Sequence, residues 1–166
     1  MDRRELILQR LLAIMQGITG FGSVTTIRLI ARNYKLADYT MYTPALILLD
    51  GSETTPPTAI APVRARPDAR TLMRPALARM MPQMFCVLDD RTPENVNTGS
   101  DINAWRCLMV SLLAVDTGLR DLVGGSGKVD YIGIDTDMQT GSTMDGRGQL
   151  HIAIEYPVDM DELTAG

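Results

Sequence analysis

The sequence predicts an α+β domain: a two-layer sandwich with a mostly antiparallel sheet of about five strands. Two helices lie on one face, and a long arm rich in Arg and Pro leaves the body. Three observations carry this expectation. Residues 2–16 and 100–116 repeat apolar side chains at helical spacing. Around them stand short runs of strand character in the order α, β, β, arm, β, α, β, β, an order that favours antiparallel neighbours. Between Ser52 and Pro82, six prolines interrupt any regular element. The 166 residues suit one domain, with the arm at about 52–82 as an insertion and 158–166 as an acidic tail.

In the first helix Ile7, Leu11 and Ile14 share a face that Leu8, Leu12 and Met15 widen, and Gly17 supplies a left-handed stop. Residues 24–31 are β-branched and partly alternating, a strand, and 33–43 read as a loop. Pro44–Gly51 (PALILLDG) is an apolar run of strand length closed by Asp50-Gly51, hence a central strand buried on both faces and ended by a turn. Residues 84–88 form the next strand and 89–97 a polar loop. Ser100 is the expected N-cap of the second helix, with Asp101 in its first turn and Ile102, Trp105, Met109 and Leu112 on the inner face. A helical turn at 119–123 stops at Gly124-Gly125. Residues 129–138 are a strand and 139–148 a loop. In 149–156, Leu150, Ile152, Ile154 and Tyr156 alternate with Gln149, His151, Ala153 and Glu155, a strand with one buried face that Pro157 ends.

Composition narrows the chemistry. A net charge of −4 argues against a domain that binds nucleic acid with its whole surface. One His and two Cys without ligand spacing leave no zinc or haem site, so neither metal nor cofactor is expected. Cys86 and Cys107 sit in apolar surroundings and read as buried, reduced thiols of a protein folded in a reducing cytoplasm. The apolar run after Met1 is broken by Gln9 and Arg10, so it reads as neither a secretory signal nor a membrane span.

No motif assembles a reaction. Asp135 and Asp137 point the same way on a strand but have no third ligand nearby in sequence. Gly124–Lys128 (GGSGK) lacks the first glycine of a phosphate loop, has Val129 after the lysine, and follows a helix instead of preceding one. His151 stands alone in its strand, and Ser23 and Ser111 lack a nucleophile elbow. The chain reads as not an enzyme; a deep pocket uniting Asp135, Asp137 and His151 would revive that alternative.

The arm is the unusual feature. From Val63 to Met81 it holds Arg64, Arg66, Arg70, Arg74 and Arg79 against Asp68, or +4, which leaves −8 for the rest of a chain totalling −4. A solvated loop is the plain alternative. Against it, Leu72, Met73, Leu77, Met80 and Met81 are more apolar mass than a free loop exposes. Arg and Met are enriched at subunit interfaces, and Arg suits bidentate pairing with carboxylates. The predicted interface set is therefore Arg64, Arg66, Arg70, Arg74, Arg79, Met80 and Met81, meeting acids such as Asp159, Asp161 and Glu162. No aromatic residues interleave the arginines, which argues against single-stranded nucleic acid as their target.

Several of these pieces, in order, resemble the tail terminator proteins of long-tailed bacteriophages, also filed as minor tail or tail completion proteins. They are the N-terminal amphipathic helix; Pro44–Gly51; Ser100–Trp105 (SDINAW) opening the second helix; Leu119–Val123 (LRDLV); and Tyr131, Asp135-Thr136-Asp137 and Gly148–Tyr156. The segment 52–82 is longer and richer in Arg and Pro than that family's pattern. The resemblance implies a structural virion protein at the tail–neck junction, assembled in the host cytoplasm. It would form a homohexameric ring that caps the tail tube, contacts the tail tube protein below and a neck or head-completion protein above, and meets no membrane. DNA would pass through the lumen without specific binding. A head–tail connector of the same virion is the alternative.

Overall fold

The computed structural model describes residues 2–19, 25–29, 44–54, 76–90, 98–138 and 144–158. Asp2 caps the first helix, α1 (Arg3–Gln16), by accepting the Arg4 N–H at 3.1 Å. Then follow β1 (Thr25–Leu29), β2 (Ala45–Thr54), β3 (Ala76–Asp90), α2 (Thr98–Val115), α3 (Thr117–Val123), β4 (Lys128–Met138) and β5 (Met144–Val158). The strands lie in the order β1-β2-β3-β5-β4. The β1–β2 pair is parallel and the other three are antiparallel. This is the expected α+β two-layer sandwich, with three helices instead of two helices and a turn.

Period-two alternation builds the core. Leu46 and Leu48 of β2, Met80, Met84 and Cys86 of β3, and Leu150, Ile152, Ile154 and Tyr156 of β5 turn toward the helices. They meet Ile7, Leu8 and Leu11 of α1, Trp105 and Met109 of α2, and Leu119 and Val123 of α3. Trp105 is fully buried; removing such a ring costs about 3–5 kcal/mol. On the far face Ala45, Ile47 and Val87 form a second buried group with Leu49 and Phe85 against it. β2 is thus buried on both faces, as its unbroken apolar run implies. The far face is accordingly dry at its β2–β3 end and not uniformly open, as a two-layer reading suggests.

Glycine and proline account for most departures from expectation. Asp50-Gly51 does not end β2. Gly51 has φ +69°, and the ladder shifts register between Leu49 and Ser52, so the dipeptide forms a bulge and the strand continues to Thr54. A Cβ at Gly51 would lie 1.9 Å from the Met81 carbonyl oxygen, so only glycine fits. Pro82 sits beside this bulge inside β3, where on the β5 side pairing resumes from Met80–Ile154 to Gln83–His151. A ring without an N–H is accommodated where the ladder has a gap. Gly148, assigned to a loop, lies within β5. A Cβ there would be 2.7 Å from Ile102 and 3.5 Å from Trp105, so this glycine lets α2 settle onto the sheet. Gly17, expected in the left-handed region, has φ −77° and continues the helical turn. Ser100 lies within α2, which begins at Thr98. Pro157, expected to end β5, pairs with Leu77 instead.

Candidate interaction surface

Of the predicted interface residues, Arg64, Arg66, Arg70 and Arg74 lie outside the described residues, as do Asp159, Asp161 and Glu162. Arg79, Met80 and Met81 are not part of a detached arm. They belong to β3, opposite Thr54, Glu53 and Ser52 of β2. Met80 is fully buried in the core, so it has no surface to offer a partner, and its place in the interface set is corrected. Alternation leaves Arg79 and Met81 on the far face, and both are exposed. The residue across from Arg79 on β5 is Glu155, and the one across from Glu155 on β4 is Lys128. Arg79 therefore stands at a register position opposite an acidic residue of its own sheet, a placement that a reading without register could not supply.

The far face grades from apolar to charged. Past Ala45, Ile47 and Val87 come Gln149, His151 and Glu155 of β5, then Lys128, Asp130 and Asp135 of β4. Lys128 lies 2.8 Å from Asp130 and 3.8 Å from Glu155, and the first of these lifts its pKa above the usual lysine range. Nε2 of His151 donates to Asp135 Oδ2 at 2.9 Å. That pair is absent from any sequence motif, since 16 residues separate its members and they meet only across the β4–β5 ladder. The Asp135 side chain is 82% exposed, an open strand position and not a pocket. Ser111 stands exposed on α2, across the sheet from His151, so it does not complete a triad. Among the described residues no group of three His, Cys, Asp or Glu is placed to hold a metal.

Gly124–Lys128 forms the closing turn of α3. Gly124 has φ +75°, and a Cβ at Gly127 would lie 2.4 Å from the Val123 carbonyl oxygen and 2.3 Å from that of Glu155. The segment is packed against the protein's own backbone instead of being open around a phosphate. The outer side of α2 carries Ala104, Cys107, Ser111, Ala114 and Val115, all exposed, and between Ile102 and Val115 the helix has one charge, Arg106. A helix facing only water normally carries a charged outer face. Cys107 is thus exposed, contrary to expectation. Cys86 is buried, and desolvation raises its thiol to about 12. Among the described residues no single helix is long and apolar enough to cross a membrane.

Two charge networks escaped the sequence because they join distant segments. Arg28 of β1 donates to both oxygens of Asp50 at 2.8 Å and to both oxygens of Glu5 at 2.7 and 2.8 Å. These bonds, from Arg28 first and Gln9 second, lower the Glu5 carboxyl to about 2, and they raise the Arg28 guanidinium above its already high value. Near it the Tyr156 hydroxyl donates to Glu53, which also lies 3.2 Å from Arg4 Nε. Burial first, and then the Glu53 carboxylate, push the Tyr156 phenol up. On the helical side Arg10 forms a fork with Asp116 at 2.9 and 2.6 Å, and Asp116 caps α3 by accepting the Leu119 N–H at 2.6 Å.

No protein-family model matches the chain, and no curated protein matches its sequence.

Proposed function

We propose that the chain is a structural subunit of a bacteriophage tail, a terminator that closes into a hexameric ring, caps the tail tube and joins it to the neck. The ordered resemblance described above supports the reading. The observation that carries it is the rooting of the basic arm. Both ends of segment 55–75 emerge from paired strands, β2 and β3, and β3 is the centre of the sheet with Met80 and Met84 in the core. The weakly charged outer side of α2 offers a further surface of the kind that subunit contacts bury.

A tube of identical subunits grows by heterologous contacts, and a ring with one compatible face ends that growth. Binding assays with purified tail tube protein and with neck protein test the reading. Binding to the tube supports a terminator. Binding to neck or portal components alone favours the head–tail connector instead. Replacing Arg64, Arg66, Arg70 and Arg74 with Ala is expected to weaken tail joining while the monomer stays folded. Because the body outside the arm is acidic, duplex DNA is expected to bind no tighter than micromolar at physiological salt.

A further inference from the structure

The outer edge of the sheet is β4, eleven residues long, and among the described residues its second side has no strand beside it. Natural edges of that length are usually blunted by charge, proline or a bulge, because open N–H and C=O groups recruit other strands. β4 carries no proline. It has charges at its ends and one bulge, where Tyr131 opposes Ile152, Gly133 opposes His151, and Ile132 is the extra residue. At that bulge two large apolar side chains lie open, Tyr131 at 44% and Ile132 at 50%.

We propose that the β4 edge is a two-fold contact with the β4 edge of a second copy of this chain, and that the bulge and the charges select its register. In an antiparallel β4–β4 pair, opposite residues share a face. One register sets Lys128 against Asp135, Val129 against Ile134, Asp130 against Gly133, and Tyr131 against Ile132, with the two-fold axis between the last two. Faces match at the three outer pairs. On the copy's own ladder Lys128, Asp130, Gly133 and Asp135 oppose the far-face residues Glu155, Ala153, His151 and Gln149, and Val129 and Ile134 oppose the core residues Ile154 and Leu150. The extra residue at the bulge makes this possible, since it corrects the alternation midway. Slipping one partner by two residues in one direction puts Asp130 against Asp135 and Lys128 against Asp137, and in the other puts Lys128 against Gly133, so neither neighbouring register keeps both the Lys128–Asp135 and the Tyr131–Ile132 contacts. Each two-fold pair gains the Tyr131–Ile132 contact twice and the Lys128–Asp135 contact twice.

This contact does not depend on the ring. It joins two single chains, or two rings, by the same edge. The test is analytical ultracentrifugation of the full chain and its variants from low to roughly 200 µM concentration. The wild type is expected to double in mass, from 18.2 kDa to about 36 kDa if the smaller species is a single chain. Ile132→Glu and Lys128→Asp are each expected to weaken doubling by roughly tenfold or more, and the swap Lys128→Asp with Asp135→Lys to restore it relative to Lys128→Asp alone. Val115→Glu, at a residue 69% exposed on α2, is expected to leave doubling intact. All four positions are exposed, and thermal melting confirms folding of each variant. A wild type that never doubles, or doubling that survives Ile132→Glu, overturns the proposal. A wild-type ring that forms but never doubles overturns it too while leaving the terminator reading intact.

Discussion

The two edges of the sheet solve the same problem in opposite ways. At one end β1 is five residues long, pairs in parallel with β2, and is pinned by Arg28 to Glu5 of α1 and Asp50 of β2. At the other end β4 is more than twice as long and is held by backbone pairing to β5, with exposed ion pairs around Lys128. A short parallel edge needs a side-chain clamp to stay on the sheet. A long antiparallel edge stays by its ladder and has its other side to offer. The difference separates an edge clamped by side chains from one held by its backbone ladder, the edge used by the proposed two-fold contact.

The two bulges give the largest expected contrast. Gly51→Ala forces a side chain into a positive-φ position against the Met81 carbonyl, with an expected loss of about 2–4 kcal/mol in urea unfolding. Gly133→Ala meets no atom within 4 Å and is expected to stay within about 1 kcal/mol of wild type. Equal losses would mean that the interior and edge bulges are constrained alike.

Next in size are the charges. Arg28→Ala removes the guanidinium that bridges Asp50 and Glu5, and an expected loss of about 2–3 kcal/mol follows for this partly buried network. Lys128→Ala is expected to leave the urea midpoint unchanged, because its partners lie in solvent. A comparable loss at Lys128 would erase the distinction between the two edges.

Acid sharpens the same point. Glu5 titrates near 4.5 when unfolded and about 2 when folded, so its contribution is complete above about pH 4.5 and is lost as pH falls toward 2. A stability profile over that window is expected to slope downward with acid, and Glu5→Gln to flatten part of the slope. An unchanged slope in the variant would place the acid sensitivity elsewhere.

The smallest effect concerns the thiols. Native protein is expected to expose one reactive thiol, Cys107, to a disulfide reagent, and denatured protein two. Rapid modification of Cys86 would mean that the core under α2 opens readily.

Much of the fold was legible because burial imposes periodicity. The alternation in β5, the unbroken run in β2 and the inner face of α2 all appear in the sequence as they appear in space. The limits of the strands were not legible, because Gly51, Pro82 and Gly148 look like breakers when read singly. Each is a breaker only without its neighbour: Gly51 needs the Met81 carbonyl, Pro82 needs the gap in the ladder, and Gly148 needs Trp105 above it. The surface was harder still. Arg79 opposite Glu155, and His151 beside Asp135, depend on strand register, which no local pattern records. Met80 looked like part of a sticky arm because its burial depends on helices far away in sequence.

The central claim is that this subunit works by closing on copies of itself. Mass measurement of the purified full chain tests it most directly. The account predicts a closed species of six copies, about 109 kDa, alone or as a facing pair. A single species of 18.2 kDa at every concentration would contradict it.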